Sequence, residues 1–164
     1  MDTVPVGAFI AIAYRSGFVR LNQKMKELGL SAGQFYVLLI LSHEQGLTQD
    51  TLSRQLLIDQ ASIARAVNVL VNKGFVKRIT DETDRRAVRI YFTEEGEELI
   101  PKISQIDEEM EEDSLSGLTI KERKEARDLL RKISQNIYEK AYEKDDKKRT
   151  AFPLKDHWNI RGKN

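Results

Sequence analysis

The stretch that decides the fold runs from Gly74 to Gly96 and reads GFVKRITDETDRRAVRIYFTEEG. Apolar residues flank a charged loop on both sides, and those after the loop recur with a period of two, which is typical of strands. The apolar residues are Phe75, Val76 and Ile79 before the loop and Val88, Ile90 and Phe92 after it. We therefore predict a β-hairpin with a polar loop from Thr80 to Ala87 and the tip Asp84-Arg85-Arg86. A basic tip fits a nucleic-acid groove, although a solvated turn explains the hairpin taken alone.

Two short helical patterns precede the hairpin, from Thr48 to Leu57 and from Asp59 to Lys73. They are separated by so few residues that they have the spacing of a helix-turn-helix. Gly74 ends the second pattern, because glycine readily adopts the left-handed conformation found after a helix C-terminus. The expected order is helix, turn, helix and hairpin, with the hairpin as the wing of a winged helix-turn-helix.

The second helix of this pair has two faces of different chemistry. Ile63, Val67, Leu70 and Val71 recur at helical spacing and are expected in the core. The opposite face is short and polar, and such a face can enter a major groove, where Arg bonds guanine and Asn bonds adenine. We therefore interpret it as a recognition helix. Its candidate DNA contacts are Gln60, Ala61, Ser62, Ala64, Arg65 and Asn68.

Basic and hydroxyl side chains around the hairpin are candidates for phosphate contacts. Such contacts supply affinity that is independent of base sequence and falls with salt. The basic candidates in the wing are Lys77, Arg78, Arg85 and Arg89. Free backbone amides at a helix N-terminus also favour anions, and the candidates there are Thr48, Gln49 and Thr51.

The charge of the chain is unevenly distributed. The 164 residues carry a formal net charge of only +1. Residues 54–89, however, hold eight Lys or Arg against four Asp or Glu, a net of +4, whereas residues 90–113 hold one Lys against ten acids, a net of −9. This distribution suits a DNA-binding protein, because a basic surface binds phosphate and an acidic surface is repelled by the duplex.

Capping residues mark the helices before the helix-turn-helix. The first apolar pattern covers residues 6–28 and ends at Gly29. Ser31 followed by Gln34 is the signature of a capping box, which opens a second helix ending near Gly46.

Two more helices are expected after the hairpin. Thr93 caps a long acidic helix, in which Pro101 is expected to cause a bend. Thr119 and Glu122 form a second capping box, which opens the last helix. One face of that helix carries Leu129, Leu130, Ile133, Ile137 and Ala141.

The apolar stripes of the terminal helices exceed what a small winged core can cover. They either pack on one another in a monomeric bundle or form a dimer, which is the usual state of helix-turn-helix proteins that bind two-fold symmetric sites. We expect one domain over residues 1–142, mainly α with a small β-hairpin wing. Dimerisation helices at about 6–28 and 97–142 flank the winged helix-turn-helix at about 31–96, and residues 143–164 form a flexible charged tail.

The most specific motif is Asp81-x-x-Asp84-Arg85-Arg86 leading to Val88-x-Ile90-x-Phe92-Thr93-x-x-Gly96. Gly29-Leu30-Ser31 and Leu118-Thr119-x-x-Glu122 support it. Over residues 6–142 the chain thereby resembles the MarR family of winged helix-turn-helix transcription regulators.

The resemblance implies an obligate homodimer with interleaved terminal helices and a recognition helix in the major groove. It also implies that Arg86 enters the minor groove and that Asp84 orients the wing arginines by a charge-assisted hydrogen bond. The chain departs from the family pattern at Ala64, where many members have a hydroxyl residue. It also lacks cysteine, which excludes the redox-sensing mechanism of one branch of the family.

The family commonly binds small aromatic or phenolic anions in a crevice between the dimer helices and the DNA-binding lobe. The candidate pocket residues here are Tyr14, Arg15, Phe35 and Tyr36, which combine aromatic rings with one cation. The alternative is that Phe35 and Tyr36 are core residues and that Arg15 lies on the surface.

Other classes of protein fit the composition poorly. Without cysteine there are no disulfides and no thiolate metal sites, which favours a cytoplasmic setting. No apolar run approaches the roughly 20 residues of a membrane span, and the N-terminus lacks a signal peptide. His43 and His157 are the only histidines, and the carboxylates from Glu94 to Asp113 are spread around a helix. We therefore expect no enzyme, metal or cofactor.

The expected function is transcription regulation by a homodimer that binds double-stranded DNA at pseudo-palindromic operators. Repression relieved by a small aromatic or phenolic ligand is the expected mode. The alternative is a winged-helix module that binds other proteins and no operator.

Overall fold

Side chains that cap helix N-termini define where most of the helices begin. The structure is a computed structural model that describes residues 4–143. Ser31 and Thr119 form the two expected capping boxes, with Gln34 and Glu122. The elements are α1 (Val6–Lys26), α2 (Ala32–His43), β1 (Leu47–Thr48), α3 (Gln49–Leu56), α4 (Gln60–Asn72), β2 (Val76–Thr80), β3 (Val88–Phe92), α5 (Glu94–Glu97), α6 (Ile100–Leu115) and α7 (Ile120–Ala141). The predicted class, mainly α with a small hairpin wing, is confirmed.

The sheet has one strand more than the sequence predicted. Strands β2 and β3 form the expected hairpin, with Val76 opposite Phe92 and Arg78 opposite Ile90. The two-residue β1 adds to the other edge of β3, where Leu47 pairs with Ile90. The strand order is therefore β1-β3-β2, and all pairs are antiparallel. Because Thr80 belongs to β2, the loop is one residue shorter than expected.

The core forms around α2, whose segment Val37–Leu41 is entirely buried. Helix α4 packs its apolar face on this segment, and Ile63, Val67 and Leu70 are buried there as predicted. The core also receives Leu21 and Met25 from α1, Val76, Ile90 and Phe92 from the sheet, and Ile103 and Ile106 from α6. The polar face of α4 is thereby held outward.

Helix α4 ends in a Schellman motif that leads directly into the wing. The backbone N–H of Gly74 bonds the carbonyl of Val71, and the N–H of Phe75 bonds that of Leu70, both at 3.0 Å. Gly74 has a φ of +77°, which a side chain would strain. The predicted helix stop is confirmed, and it fixes where the wing begins relative to α4.

The prediction of a single long acidic helix after Thr93 is wrong. The Oγ1 of Thr93 does cap a helix, α5, by accepting from Gly96 N–H, but α5 ends at Glu97 and α6 begins at Ile100. Pro101 therefore lies in the first turn of α6 instead of bending a continuous helix. Proline lacks an N–H and its ring excludes the preceding turn, so it is best tolerated at that position.

Helix α7 buries little of its own surface. Tyr138 is its one buried residue over Ile120–Ala141, whereas Leu129, Leu130 and Ile137 on the predicted stripe are exposed. Apart from Glu143, the tail predicted at residues 143–164 lies outside the described residues.

Candidate nucleic-acid interface

The N-terminus of α4 holds Arg65 through a chain of three side chains. Asp59 caps the helix, with its Oδ1 accepting from Ser62 N–H at 2.8 Å and its Oδ2 from Ser62 Oγ at 2.7 Å. Arg65 Nη2 in turn donates to Ser62 Oγ at 2.7 Å. The hydrogen bonds from Ser62 lower the pKa of Asp59, so the carboxylate stays charged at neutral pH. This chain positions the arginine above the first turn of α4.

Arg78 connects the wing to both helices of the helix-turn-helix. From β2, its Nη2 donates to Oδ1 of Asn68 on α4 at 2.6 Å and to Oε1 of Gln49 on α3 at 2.9 Å. The sequence predicted all three as separate DNA contacts. In the structure they form one network, so the wing, α3 and α4 are coupled through side chains.

The wing loop is organised by Asp81. Its Oδ1 accepts from the backbone N–H of Thr83 and Asp84 at 2.8 and 3.0 Å and from Thr83 Oγ1 at 2.6 Å. Its Oδ2 accepts from Nε of Arg89. These hydrogen bonds, first that of the Thr83 hydroxyl and then that of Arg89, hold the pKa of Asp81 well below its usual range. Asp81 is therefore the turn-forming residue of the loop.

Arg89 is engaged within the protein, although the sequence predicted it as a phosphate contact. Besides Asp81, it bonds the carbonyl oxygen of Gly46 from Nη1 at 2.9 Å. Its bond to Asp81 raises the pKa of the guanidinium. Arg89 thus ties the wing to the segment before β1, and its charge is largely compensated.

The role expected for Asp84 differs in detail from what the structure shows. Its Oδ1 accepts from the backbone N–H of Arg86 at 3.0 Å, and its carbonyl accepts from Ala87 N–H at 2.9 Å. The carboxylate therefore shapes the backbone that carries Arg86 instead of bonding a guanidinium. The reason is its position, since two residues of separation in a tight turn favour a bond to the backbone.

A groove of about 620 Å³ runs between the recognition helix and the wing. One wall is formed by α4 and the N-terminus of α3, and the other by the wing. Two of the predicted arginines, Arg78 and Arg86, lie on it, and the small Ala64 leaves room for close approach. The lining residues are Thr48, Gln49, Asp50, Ala64, Asn68, Arg78, Asp84, Arg86, Ala87 and Val88.

Other predicted contacts lie around this groove. Thr48 caps α3 by accepting from Thr51 N–H at 3.2 Å, so both hydroxyls sit at the helix N-terminus as expected. Gln60 Nε2 donates to Asp50 Oδ1 at 2.9 Å, which ties the start of α4 to α3. The side chains of Ala61, Lys77 and Arg85 are exposed.

The sequence interpretation missed three aspartates at this surface. Asp50, Asp59 and Asp81 are the acceptors that hold Gln60, Ser62 and Arg89. Asp59 had a usable signal, because an Asp three residues before a Ser at a helix start is typical of an N-cap. The bonds of Asp81 to Thr83 and Asp84 are local and typical of an Asp in a turn. The bonds from Gln60 to Asp50 and from Arg89 to Asp81 span 10 and 8 residues of the chain, and no local pattern indicates these two.

The predicted ligand-pocket residues have unequal exposure. Phe35 is 2% exposed and belongs to the core, where its ring packs edge-on against Tyr36. Burial, with smaller contributions from Tyr14 and Asp107, raises the pKa of the half-buried Tyr36. Tyr14 and Arg15 are exposed on α1. The side chains of Tyr14 and Arg15 and part of Tyr36 are therefore accessible to a ligand, whereas Phe35 is not.

Between residues 4 and 143, no group of His, Asp or Glu side chains is arranged to hold a metal ion. None of the helices in that range combines the length and apolar character that crossing a bilayer requires.

A helix-turn-helix with an outward polar face on its second helix, followed by a hairpin that borders the same groove, defines a winged helix-turn-helix DNA-binding protein. The MarR family model matches residues 28–87. The HTH-type transcriptional regulator YybA of Bacillus subtilis is 30% identical over 116 residues, which cover 71% of this chain and 77% of that protein. The chain belongs to the MarR family of transcriptional regulators, as its motifs predicted.

Solved structures agree with this assignment. A MarR transcriptional regulator from Methanosarcina mazei Go1 has a TM-score of 0.76 at 35% identity, over 82% of this chain and 96% of that one. A MarR family regulator from Listeria monocytogenes, crystallised with a 26mer DNA, has a TM-score of 0.79 at 28% identity, over 90% and 99% of the two chains. All three of these related proteins are transcriptional regulators.

Proposed function

We propose that this regulator binds a pseudo-palindromic operator as a homodimer and represses transcription until a small aromatic or phenolic ligand releases it. One observation carries the DNA-binding part of this proposal. Asn68 of the recognition helix and Arg78 and Arg86 of the wing border a single groove, which is open to solvent and bounded by two elements that fit DNA grooves.

The chemistry of the groove suits a duplex. Ala64 at its wall allows close approach of a base edge, and Arg65 lies one residue further along the exposed face of α4. Arg86 stands at the wing tip, where an adjacent minor groove would pass. The Listeria relative was crystallised with a 26mer DNA, which supports DNA binding by this chain.

Two apolar surfaces support the homodimer. Val6, Phe9 and Ile12 of α1 are more than half exposed, as are Leu129, Leu130 and Ile137 of α7. Most of the stability of a helix in a protein comes from packing of its apolar face, and one chain leaves these residues unpacked. A second copy that covers both helices would bury these residues and place two recognition helices roughly one helical turn apart on DNA.

The ligand proposal rests on Tyr14, Arg15 and Tyr36, between α1 and α2. Two aromatic side chains and one cation suit a small aromatic anion. Asp107 lies close enough to raise the pKa of Tyr36, so its carboxylate would oppose an anion bound directly against the Tyr36 hydroxyl. A ligand at this place would touch both the dimer helices and the DNA-binding lobe, and would therefore change their relative position.

Gel-shift selection with fragments of the source genome tests the proposal. We expect a small set of fragments that share a two-fold symmetric motif, with binding that weakens steeply as salt rises. A titration of small aromatic and phenolic acids into the complex should then release the DNA. If no fragment binds while pull-down recovers a protein partner, the winged helix is a protein-interaction module and the operator proposal is wrong.

A further inference from the structure

Arg78 fixes the orientation of two side-chain amides at the edge of the groove. Its Nη2 lies 2.6 Å from Oδ1 of Asn68 and 2.9 Å from Oε1 of Gln49. A guanidinium has donors and no acceptor, so the atom of each amide that faces it must be the oxygen. The NH₂ groups of Asn68 and Gln49 are consequently the parts left to bond a ligand.

We propose that Asn68, oriented by Arg78, is a specificity-determining donor that selects a keto base, guanine or thymine, in the major groove. The inference rests on the proposed operator binding and names the base edge that this residue reads. It revises the expectation that Asn bonds adenine, which requires the amide oxygen to accept from adenine N6 while the NH₂ donates to N7.

The electrostatics of the network disfavour the adenine arrangement. In the structure, the amide oxygen of Asn68 already accepts a hydrogen bond from a cation. An adenine amino group approaching that oxygen brings a second partial positive charge next to the guanidinium. Guanine and thymine present only acceptors on their own major-groove edges, O6 and N7 or O4, and the positive charge of Arg78 attracts these toward the NH₂ of Asn68. Adenine N7 is also an acceptor, but the N6 amino group beside it is repelled by the same charge.

Arg78 is therefore a positioning residue in this proposal and not only a phosphate contact. Asn68 is exposed on α4 and lines the groove with Ala64, one turn earlier. The hydrogen bond between Arg78 and Asn68 joins the wing to α4. A wing that moves away from α4 would therefore leave Asn68 without a fixed orientation. Base preference at this position thus depends on the docked wing.

The first experiment is selection of bound duplexes from a random pool by the full chain and by its Asn68→Asp variant. Aspartate retains the hydrogen bond to Arg78 but has only acceptors to offer a base. We expect one position in each half-site to change from guanine or thymine to cytosine or adenine, with a preference of about fivefold or more in each case. An unchanged position, or adenine preferred there by the parent, overturns the proposal.

The second experiment compares Arg78→Met with Lys77→Met as the matched control. Both remove one positive charge from β2, but neighbouring residues of a strand face opposite sides, and only Arg78 reaches α4. We expect Arg78→Met to relax the base preference at the Asn68 position to within about twofold, and Lys77→Met to weaken all duplexes about equally. If Arg78→Met only weakens binding uniformly, its positioning role is wrong.

The two proposals fail in different ways. A folded parent protein that enriches no duplex sequence overturns operator binding, and this inference with it. A parent that enriches a symmetric motif whose bases do not respond to Asn68 or Arg78 overturns this inference alone. Circular dichroism of each variant confirms that the helices are intact, which is expected because both side chains are exposed.

Discussion

Arg89 and Asp81 face each other across the base of the wing, joined by a hydrogen bond from Nε to Oδ2. Because Arg89 also bonds the Gly46 carbonyl, the pair connects the wing loop to the segment before β1. The loop backbone is closed at the same place, where Asp81 N–H bonds the carbonyl of Ala87 at 2.9 Å. Arg89 and Asp81 thus bond each other within the protein, and this ion pair stabilises the conformation of the wing loop.

Arg89→Gln should loosen the wing before it affects phosphate binding. We expect several-fold faster hydrogen exchange of the amides in residues 81–87, with the amides of α4 unchanged, because the loop loses its tie to Gly46. Arg85→Gln is the control, since it removes an exposed charge from the same loop. Equal exchange in the two variants would show that Arg89 has no structural role.

The same pair predicts how wing order depends on pH. The folded-state pKa of Asp81 is lowered, so its contribution to stability is present above the unfolded pKa of about 4 and is lost as pH falls toward the folded value. Protection of residues 81–87 should therefore stay constant between pH 7 and about pH 5 and decline only below about pH 4. Asp81→Asn should show the reduced protection already at neutral pH.

Gly96 is the position where one added carbon atom should be least tolerated. A Cβ there would lie 1.8 Å from the carbonyl oxygen of Phe75, which also accepts from Thr93 N–H. We expect Gly96→Ala to lower the free energy of unfolding by about 3 kcal/mol, measured by urea denaturation, because backbone must move. Gly33→Ala in α2 is the control. Its Cβ would be 3.7 Å from the nearest atom, so the stability should be unchanged or slightly higher.

Local signals explain most of what the sequence could predict. Helical period, capping residues and Gly74 act over a few positions, so the helix-turn-helix, both capping boxes and the hairpin were predictable. Strand β1 was not, because a two-residue strand has no period and exists only through pairing with β3. The bend predicted at Pro101 is wrong, because proline fits either a bend within a helix or the first turn of a new one. Only the packing of α6 distinguishes the two.

The candidate site also contains some features that the sequence could predict and others that it could not. Polar residues of α4 could be assigned to one face of the helix from their spacing. Arg86 could be assigned to the wing tip from the family motif. The hydrogen-bond network around Arg78 could not be predicted, because its partners Gln49 and Asn68 are 29 and 10 residues away in the chain. The same distance effect hid the internal role of Arg89, whose contact with Gly46 spans 43 residues. A basic residue in a wing can bind phosphate or hold the wing, and only tertiary structure separates these roles.

Ile137→Glu on α7 should dissociate the proposed homodimer. The side chain is 57% exposed in one chain, and its burial by a second copy would contribute roughly 1.5 kcal/mol or more at each of two sites. We expect dimer affinity to fall by about a hundredfold or more in sedimentation experiments. Gln135→Glu adds the same charge on the opposite face of α7 and should leave the dimer intact. A parent chain that sediments as a monomer at micromolar concentration would contradict the proposal directly.

Arg65→Ala should affect a single position of each half-site. Arg65 projects from the exposed face of α4 and is held there by Ser62. If it bonds a base edge, its loss costs about 1–3 kcal/mol and relaxes preference at that position only. Binding curves on operators with each base at each position measure this. Ser62→Ala leaves the arginine in place without its tether, so a smaller loss at the same position is expected.

Arg86→Ala should instead affect the flanks of the operator. Its backbone is fixed by Asp84 at the wing tip, and its side chain lines the wing side of the groove, opposite α4. A narrow A·T-rich minor groove has an enhanced negative potential, which attracts an arginine. We therefore expect Arg86→Ala to erase the preference for A·T-rich flanks while the central half-site preference stays as in the parent. Asp84→Asn should produce a weaker form of the same change, because asparagine still accepts a hydrogen bond from Arg86 N–H. If Arg86→Ala binds A·T-rich and G·C-rich flanks with the same ratio as the parent, the wing tip does not enter the minor groove.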